Sequence, residues 1–206
     1  MKVLTEFSIL TLIFLVTSFA PVYATDGNEK ISKISWEVDH HHSAINFTVN
    51  HFFTPVGGIF EEFEAELLFN PENLAASSID VAIPASSVNT RHQDRDDHLR
   101  SEDFFNVAEW PTMRFVSNTI EKTGDNKFVA KGKLTIRDVT RDFELPFEFL
   151  GVMDHPFMEN SKVAGIVANT KLQRSDFNVG VGSWAATAVV GNTVDIRINL
   201  ELTTPK

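Results

Sequence analysis

Three consecutive histidines, His40-His41-His42, followed further on by His51, are the residues of this chain best suited to hold a metal. On an extended strand His40 and His42 would share a face, and Asp39 or His51 would complete a set of nitrogen and oxygen ligands. Consecutive histidines are not a catalytic ligand spacing of the helical H-E-x-x-H kind, so solvated or mouth-lining imidazoles are the simpler expectation and no metal is assigned. A second grouping, Ser101 with His98 and Asp96 or Asp97, has the residue types of a nucleophilic triad. It lacks a G-x-S-x-G elbow, and charge this dense is more often a solvated face or a set of helix caps. Glu61 and Glu62 with Glu64 and Glu66 raise carboxylate-pair hydrolysis. Alternation puts Glu62, Glu64 and Glu66 on the polar face of one strand, which reads as a solvent-facing edge. Gly57-Gly58 is isolated, and Gly180-x-Gly182 follows no strand-to-helix transition, so neither makes a phosphate loop; the latter pair reads as a bend or bulge. These absences count against an enzyme, and no cofactor is expected.

Strands carry the glutamates and flank the histidines. Ile45, Phe47 and Val49 alternate with Asn46, Thr48 and Asn50, and Phe63, Ala65, Leu67 and Phe69 alternate mainly with glutamates. The same period marks Ile79 to Ile83, Met113 with Phe115, Leu134 with Ile136, Phe143 to Phe149 and Val194 to Leu200. Lys162 to Leu172 is a less regular strand, and Trp36 to Val38 is a candidate opener. About eight or nine strands result. Asn70-Pro71-Glu72-Asn73, Thr123-Gly124-Asp125-Asn126 and Val190-Gly191-Asn192 carry turn chemistry. Only Ser86 to Val107 breaks the rhythm; it reads as a long connection with short helices, Leu99, Phe104 and Phe105 forming its apolar face. Strands with one apolar face must close or stack to remove their edges, so a barrel or a two-sheet sandwich follows. A membrane-spanning barrel does not, because the alternate positions are Asp, Glu, Asn and Arg, and one Tyr with three Trp cannot build two aromatic girdles.

The 206 residues are 43% apolar and 22% charged, with a net charge of −10 and no cysteine. That composition is globular, and it excludes disulfide scaffolds, Cys-based zinc sites, iron–sulfur clusters and thiol nucleophiles. An acidic chain is repelled by phosphate backbones, so nucleic acid is not an expected partner. Eighteen Phe against one Tyr give a greasy interior that needs few buried hydrogen bonds. Residues 1–24 have the layout of a secretory signal peptide: Lys2, an apolar run from Ile9 to Val16 too short to span a bilayer, and Val22-Tyr23-Ala24 before the expected cleavage. One domain, residues 25–206, is expected to follow, without a membrane span and located in the periplasm.

One order of motifs has a further implication. Trp36-Glu37-Val38-Asp39 runs through His42-Ser43 to Phe47-Thr48-Val49-Asn50-His51, and Val56-Gly57-Gly58-Ile59-Phe60 follows. The most specific stretch is Arg95-Asp96-Asp97-His98-Leu99-Arg100-Ser101-Glu102-Asp103-Phe104-Phe105, then Trp110-Pro111-Thr112-Met113-Arg114-Phe115. Gly132-Lys133-Leu134-Thr135-Ile136, Val139-Thr140 and Arg174-Ser175-Asp176-Phe177 complete the set. From about Trp36 to Leu202 the chain resembles the YceI-like family of polyisoprenoid-binding, lipocalin-like proteins. The resemblance implies an all-β fold, an eight-stranded antiparallel barrel with a short helical cover, whose apolar cavity holds a long isoprenoid or another long-chain amphiphile. Two departures stand at turns, Asp138 and Asn178 where the family has Gly; both residue types tolerate left-handed backbone.

The apolar parity of the strands nominates the lining: Phe47, Val49, Phe60, Phe63, Leu67, Val81, Phe115, Leu134, Ile136, Phe147, Val167, Phe177 and Ile198. A polar head would meet His42, His51, Arg95 and His98 at a mouth. The expected role is reversible carriage or sequestration of such a lipid, with a homodimer left open. The alternatives are a lipid-modifying or metal-dependent hydrolase using His40 to His42, or a stress-related periplasmic interaction protein.

Overall fold

Where apolar and polar side chains alternate, one face can be buried and the other solvated, and the alternating runs form strands. The structure, a computed structural model, describes residues 33–205; the expected signal segment, residues 1–24, lies outside them. The strands are β1 (Ser35–Val38), β2 (Ala44–His51), β3 (Thr54–Phe60), β4 (Glu64–Leu68), β5 (Ser78–Pro84), β6 (Val88–Asn89), β7 (Thr112–Gly124), β8 (Lys127–Ile136), β9 (Val139–Asp154), β10 (Ser161–Gln173) and β11 (Val190–Pro205). One α-helix, α1 (Gln93–Arg100), interrupts them.

The pairing closes on itself. β1 is hydrogen-bonded to β4 on one side and to β11 on the other, and β5, β7, β8, β9 and β10 complete the ring between β4 and β11. β1 and β2 both lie along β11, β1 opposite Leu202 and Thr203 and β2 opposite residues 194–199. They are two halves of one stave broken at residues 39–43. β3 and β4 form a second broken stave, and β5 and β6 a third, interrupted by the 3₁₀ turn Ala85–Ser87. Three broken staves and the five continuous strands β7 to β11 make the eight-stranded antiparallel barrel, a number whose bore is filled by side chains or holds one slim ligand.

The structure corrects several local expectations. β3 has no counterpart in the periodic pattern, because Pro55, Gly57 and Gly58 erase its alternation. Gly58 stands directly opposite Phe47, and a Cβ there would meet Phe47 Cζ at 2.3 Å, so the missing side chain is what lets that ring lie across the strand. Val190-Gly191-Asn192 is not a turn; it opens β11, with a register shift between Val190 and Val194. At the β8–β9 turn the left-handed residue is Arg137 (φ 55°) rather than Asp138. Its guanidinium offsets the strain by donating to the Phe104 and Asn178 carbonyls and lying 4.5 Å over the Trp110 ring. Asn178 does take the left-handed conformation, at φ 56°.

Two apolar clusters fill the barrel. One packs an end solid with Trp36, Leu67, Phe69, Phe128, Phe147, Phe149 and Leu202. The Phe69, Phe128 and Phe147 rings meet at 5.1–5.4 Å, and Trp36 Nε1 donates to the Phe69 carbonyl at 2.8 Å. The other cluster, including Phe60, Phe63, Val88, Phe104, Met113, Ile136 and Phe177, lies under the helical segment. Asp94 and Asp96 in the first turn of α1 and His98 and Arg100 in its last turn complement the helix dipole. The charges also clamp. Arg100 donates to the Ser86 and Val88 carbonyls at 2.8 Å each, and buried Asp96 accepts from Thr90 N at 2.8 Å and Thr90 Oγ1 at 2.5 Å. This charged segment is the fastening of the cover to the rim, not simply a solvated face.

Candidate binding site

Between the packed end and the cover lies a cavity of about 190 Å³, far above the roughly 10–15 Å³ that admits a single water. It is a built space, not a packing defect. Inward-facing residues of β2, β3, β5, β7, β8, β9, β10 and β11 form its wall, and α1 contributes Leu99. Carbon faces the cavity nearly throughout, although Asn46, Arg114, Thr170 and Arg174 stand among the lining residues.

Nine of the nominated residues line it: Phe47, Val49, Phe60, Val81, Phe115, Leu134, Ile136, Phe177 and Ile198. Four do not. Leu67 and Phe147 face inward but are consumed by the packed end. Phe63 falls in the break between β3 and β4, where parity is interrupted, and packs in the cluster below the cover with His40 4.9 Å from its ring. Val167 lies directly opposite Asn199 and Glu148 and so faces outward; both parities of β10 are apolar there, and Ala164, Ile166 and Ala168 are the buried set. Sequence reasoning missed Phe143, Leu145, Val194 and Ile196, which strand parity already places on the inner face, and Thr170 and Leu172 of the ambiguous β10. It missed Arg174 for want of any periodic signal.

Arg174 is 4% exposed. Its donors reach the carbonyls of Gly191 (2.9 Å), Val179 (2.8 Å), Val190 (2.9 Å) and Ala186 (3.3 Å). Burial pushes its guanidinium below the ordinary value. This one side chain gathers the segment from residue 174 to 191 against the barrel rim.

None of the four residues expected at a polar mouth lines the cavity itself, although Arg95 and His98 belong to α1 in the cover above it. His51 is exposed, its ring edge-on to Phe52 at 4.7 Å. Arg95 donates to Thr90 Oγ1 and the Thr90 carbonyl, each at 2.7 Å. His98 sits between Phe104 (4.9 Å) and Trp184 (4.8 Å) with Nε2 3.1 Å from Asp103, tying α1 to the turn Gly182–Ala185. His42 lies outside the barrel beside Asp39 and Glu201. Hydrogen bonding to Asp39 raises the His42 pKa, and the same bond holds Asp39 below the usual carboxylate range. His40 to His42 occupy a turn rather than a strand, so His40 and His42 share no strand face. The triad arrangement does not assemble: Ser101 Oγ donates to the His98 carbonyl at 2.8 Å, while Asp96 is occupied by Thr90.

Comparison with known proteins fits this geometry. The family model of the YceI-like domain matches residues 36–202. Protein YceI of Escherichia coli is 33% identical over 195 residues, covering 94% of this chain and 96% of that one. The crystal structure of Burkholderia cenocepacia BcnA is similar at a TM-score of 0.72 and 27% identity, over 80% of this chain and 99% of that chain. A polyisoprenoid binding domain from Saccharophagus degradans, implicated in plant cell wall breakdown, shares the fold at a TM-score of 0.62 and 13% identity, over 84% of this chain and 99% of that chain.

Proposed function

The chain belongs to the YceI-like family, and from that premise we propose that it binds an isoprenoid or other long-chain amphiphile in the barrel and carries or sequesters it without covalent chemistry. The carrying observation is the carbon-walled cavity of about 190 Å³ inside a closed eight-stave barrel. Burial of each CH₂-sized group gains about 0.8 kcal/mol, so some ten carbons supply about 8 kcal/mol before the costs of ordering the chain. The polyisoprenoid-binding description of the Saccharophagus degradans domain supports the ligand class. The signal-like leader supports a periplasmic setting, and no helix of the described residues is long and apolar enough to cross a membrane.

Two variants of one residue test the reading. Ile196 lines the cavity from β11 and is only half-buried. Ile196→Trp should fill the space and Ile196→Glu should place a charge in it; each should abolish uptake of a fluorescent long-chain fatty acid or prenol. Protein from the native host, extracted with solvent and examined by mass spectrometry, should carry about one lipid per chain. Lipid-free native protein, or uptake untouched in folded Ile196→Trp, would refute the proposal.

A further inference from the structure

The turn that breaks the first stave carries a cluster that the cavity does not use. His42 Nδ1 lies 2.8 Å from Asp39 Oδ2 and 3.6 Å from Glu201 Oε1, and one ligand atom from each of the three residues lies within 4.8 Å of the others. Around a zinc ion with ligands at about 2.0–2.2 Å, tetrahedral neighbours stand about 3.3–3.6 Å apart, close to the two measured distances. The backbone holds this arrangement from behind. Asp39 N–H donates to the Glu201 carbonyl at 2.9 Å, and Glu201 N–H donates to Ser43 Oγ at 3.0 Å. His41 N–H donates to Asp39 Oδ1 at 2.8 Å, which occupies one carboxylate oxygen and turns the other toward the imidazole. Partners of that kind orient the ligands in metal sites. The His42 and Glu201 side chains are 65% and 40% exposed, so an ion and its waters have access.

We propose that Asp39, His42 and Glu201 bind one divalent transition-metal ion of the zinc type, with water completing its coordination. One imidazole and two carboxylates are a nitrogen–oxygen set suited to such an ion, and a net charge of −10 favours cation capture. The ion takes the place of the proton shared between His42 and Asp39. Neither His40 nor His41 contributes an atom to the cluster, so the histidine triplet itself is not the site. The position assigns a mechanical role. β1 meets β11 through two residue pairs, Glu37 with Thr203 and Val38 with Leu202, and β2 continues the same seam beyond the turn. Asp39 and Glu201 directly adjoin those pairs, so the ion clasps the seam of the barrel.

Calorimetric titration of the metal-stripped protein with zinc chloride should give one ion per chain and a higher Tm. His42→Ala and Glu201→Gln should each weaken uptake by about tenfold or more and remove the rise in Tm. The double variant His40→Ala, His41→Ala should bind within about twofold of the parent. Calcium chloride should bind about tenfold or more weakly than zinc, because calcium selects oxygen ligands. The mutated side chains lie at the surface, and circular dichroism verifies folding. No saturable uptake, undiminished uptake by His42→Ala, or loss of uptake in the His40/His41 variant would overturn the proposal.

Discussion

At the residue scale, charge in this protein fastens parts together. Arg100, Asp96 and Arg95 bind α1 to the rim, Arg174 collects five carbonyls, that of Gly180 included, and Arg114 grips Asp80 across β5 and β7 with hydrogen bonds of 2.8 and 2.5 Å. The Arg114 hydrogen bonds hold the Asp80 carboxyl below its usual value of 3.8. A carboxyl with a depressed folded pKa stabilises the fold fully above its unfolded pKa, and that contribution disappears as pH falls through the lower folded value. Asp80→Asn should therefore lower stability at neutral pH by at most about 1 kcal/mol, since solvent screens the pair. The gap to the parent should begin to narrow below about pH 4 and vanish once pH has fallen through the lower folded value. Thermal melts of both proteins across the acid range measure this, and a gap independent of pH would contradict it.

At the element scale, the most informative strand is the one its own sequence conceals. Gly58 on β3 makes room for the Phe47 ring, and Phe47 lines the cavity. Gly58→Ala should drive that ring inward: the protein should still fold, since the atom met is the movable tip of a side chain, but long-chain ligands should bind about threefold more weakly, a loss of roughly 0.65 kcal/mol. Binding isotherms on folded Gly58→Ala decide the matter, and unchanged affinity would show that Phe47 yields elsewhere. The long strands are legible in the sequence because one period runs unbroken through them, as from Phe143 to Phe149. The breaks are not: parity cannot see that residues 39–43 and 61–63 bend a stave, and this is why it misplaces Phe63 and never joins Glu201 to His42. Depth along the barrel is equally invisible to parity, so Leu67 and Phe147 carry the right face at the wrong level. Val167 fails for the opposite reason, since two apolar parities in β10 leave the inner face undecided.

At the scale of the whole molecule, closure governs traffic. Strand pairing seals the ring, aromatic rings fill one end, and passage therefore lies through the end covered by α1 and the segment from 174 to 185. The cover is latched by His98 lodged against Trp184 and by Phe104 5.7 Å from the same ring. Aromatic pairs of this kind contribute about 0.5–1.5 kcal/mol each. Trp184→Ala should then speed ligand release by roughly 2- to 10-fold for each of these two ring pairs that it removes, with a smaller change in melting temperature than in residence time. Stopped-flow release into acceptor vesicles is the measurement, and an unaltered release rate would place the exit elsewhere.

The packed floor of Phe69, Phe128 and Phe147 also decides how a guest sits. A thimble admits a thread from one direction only, so the hydrocarbon terminus goes in first and comes out last. On the proposed carrier role, the hydrophilic end of the guest would stay at the rim whatever its chemistry. A donor and a recipient of that guest would then both have to address the same rim, one after the other.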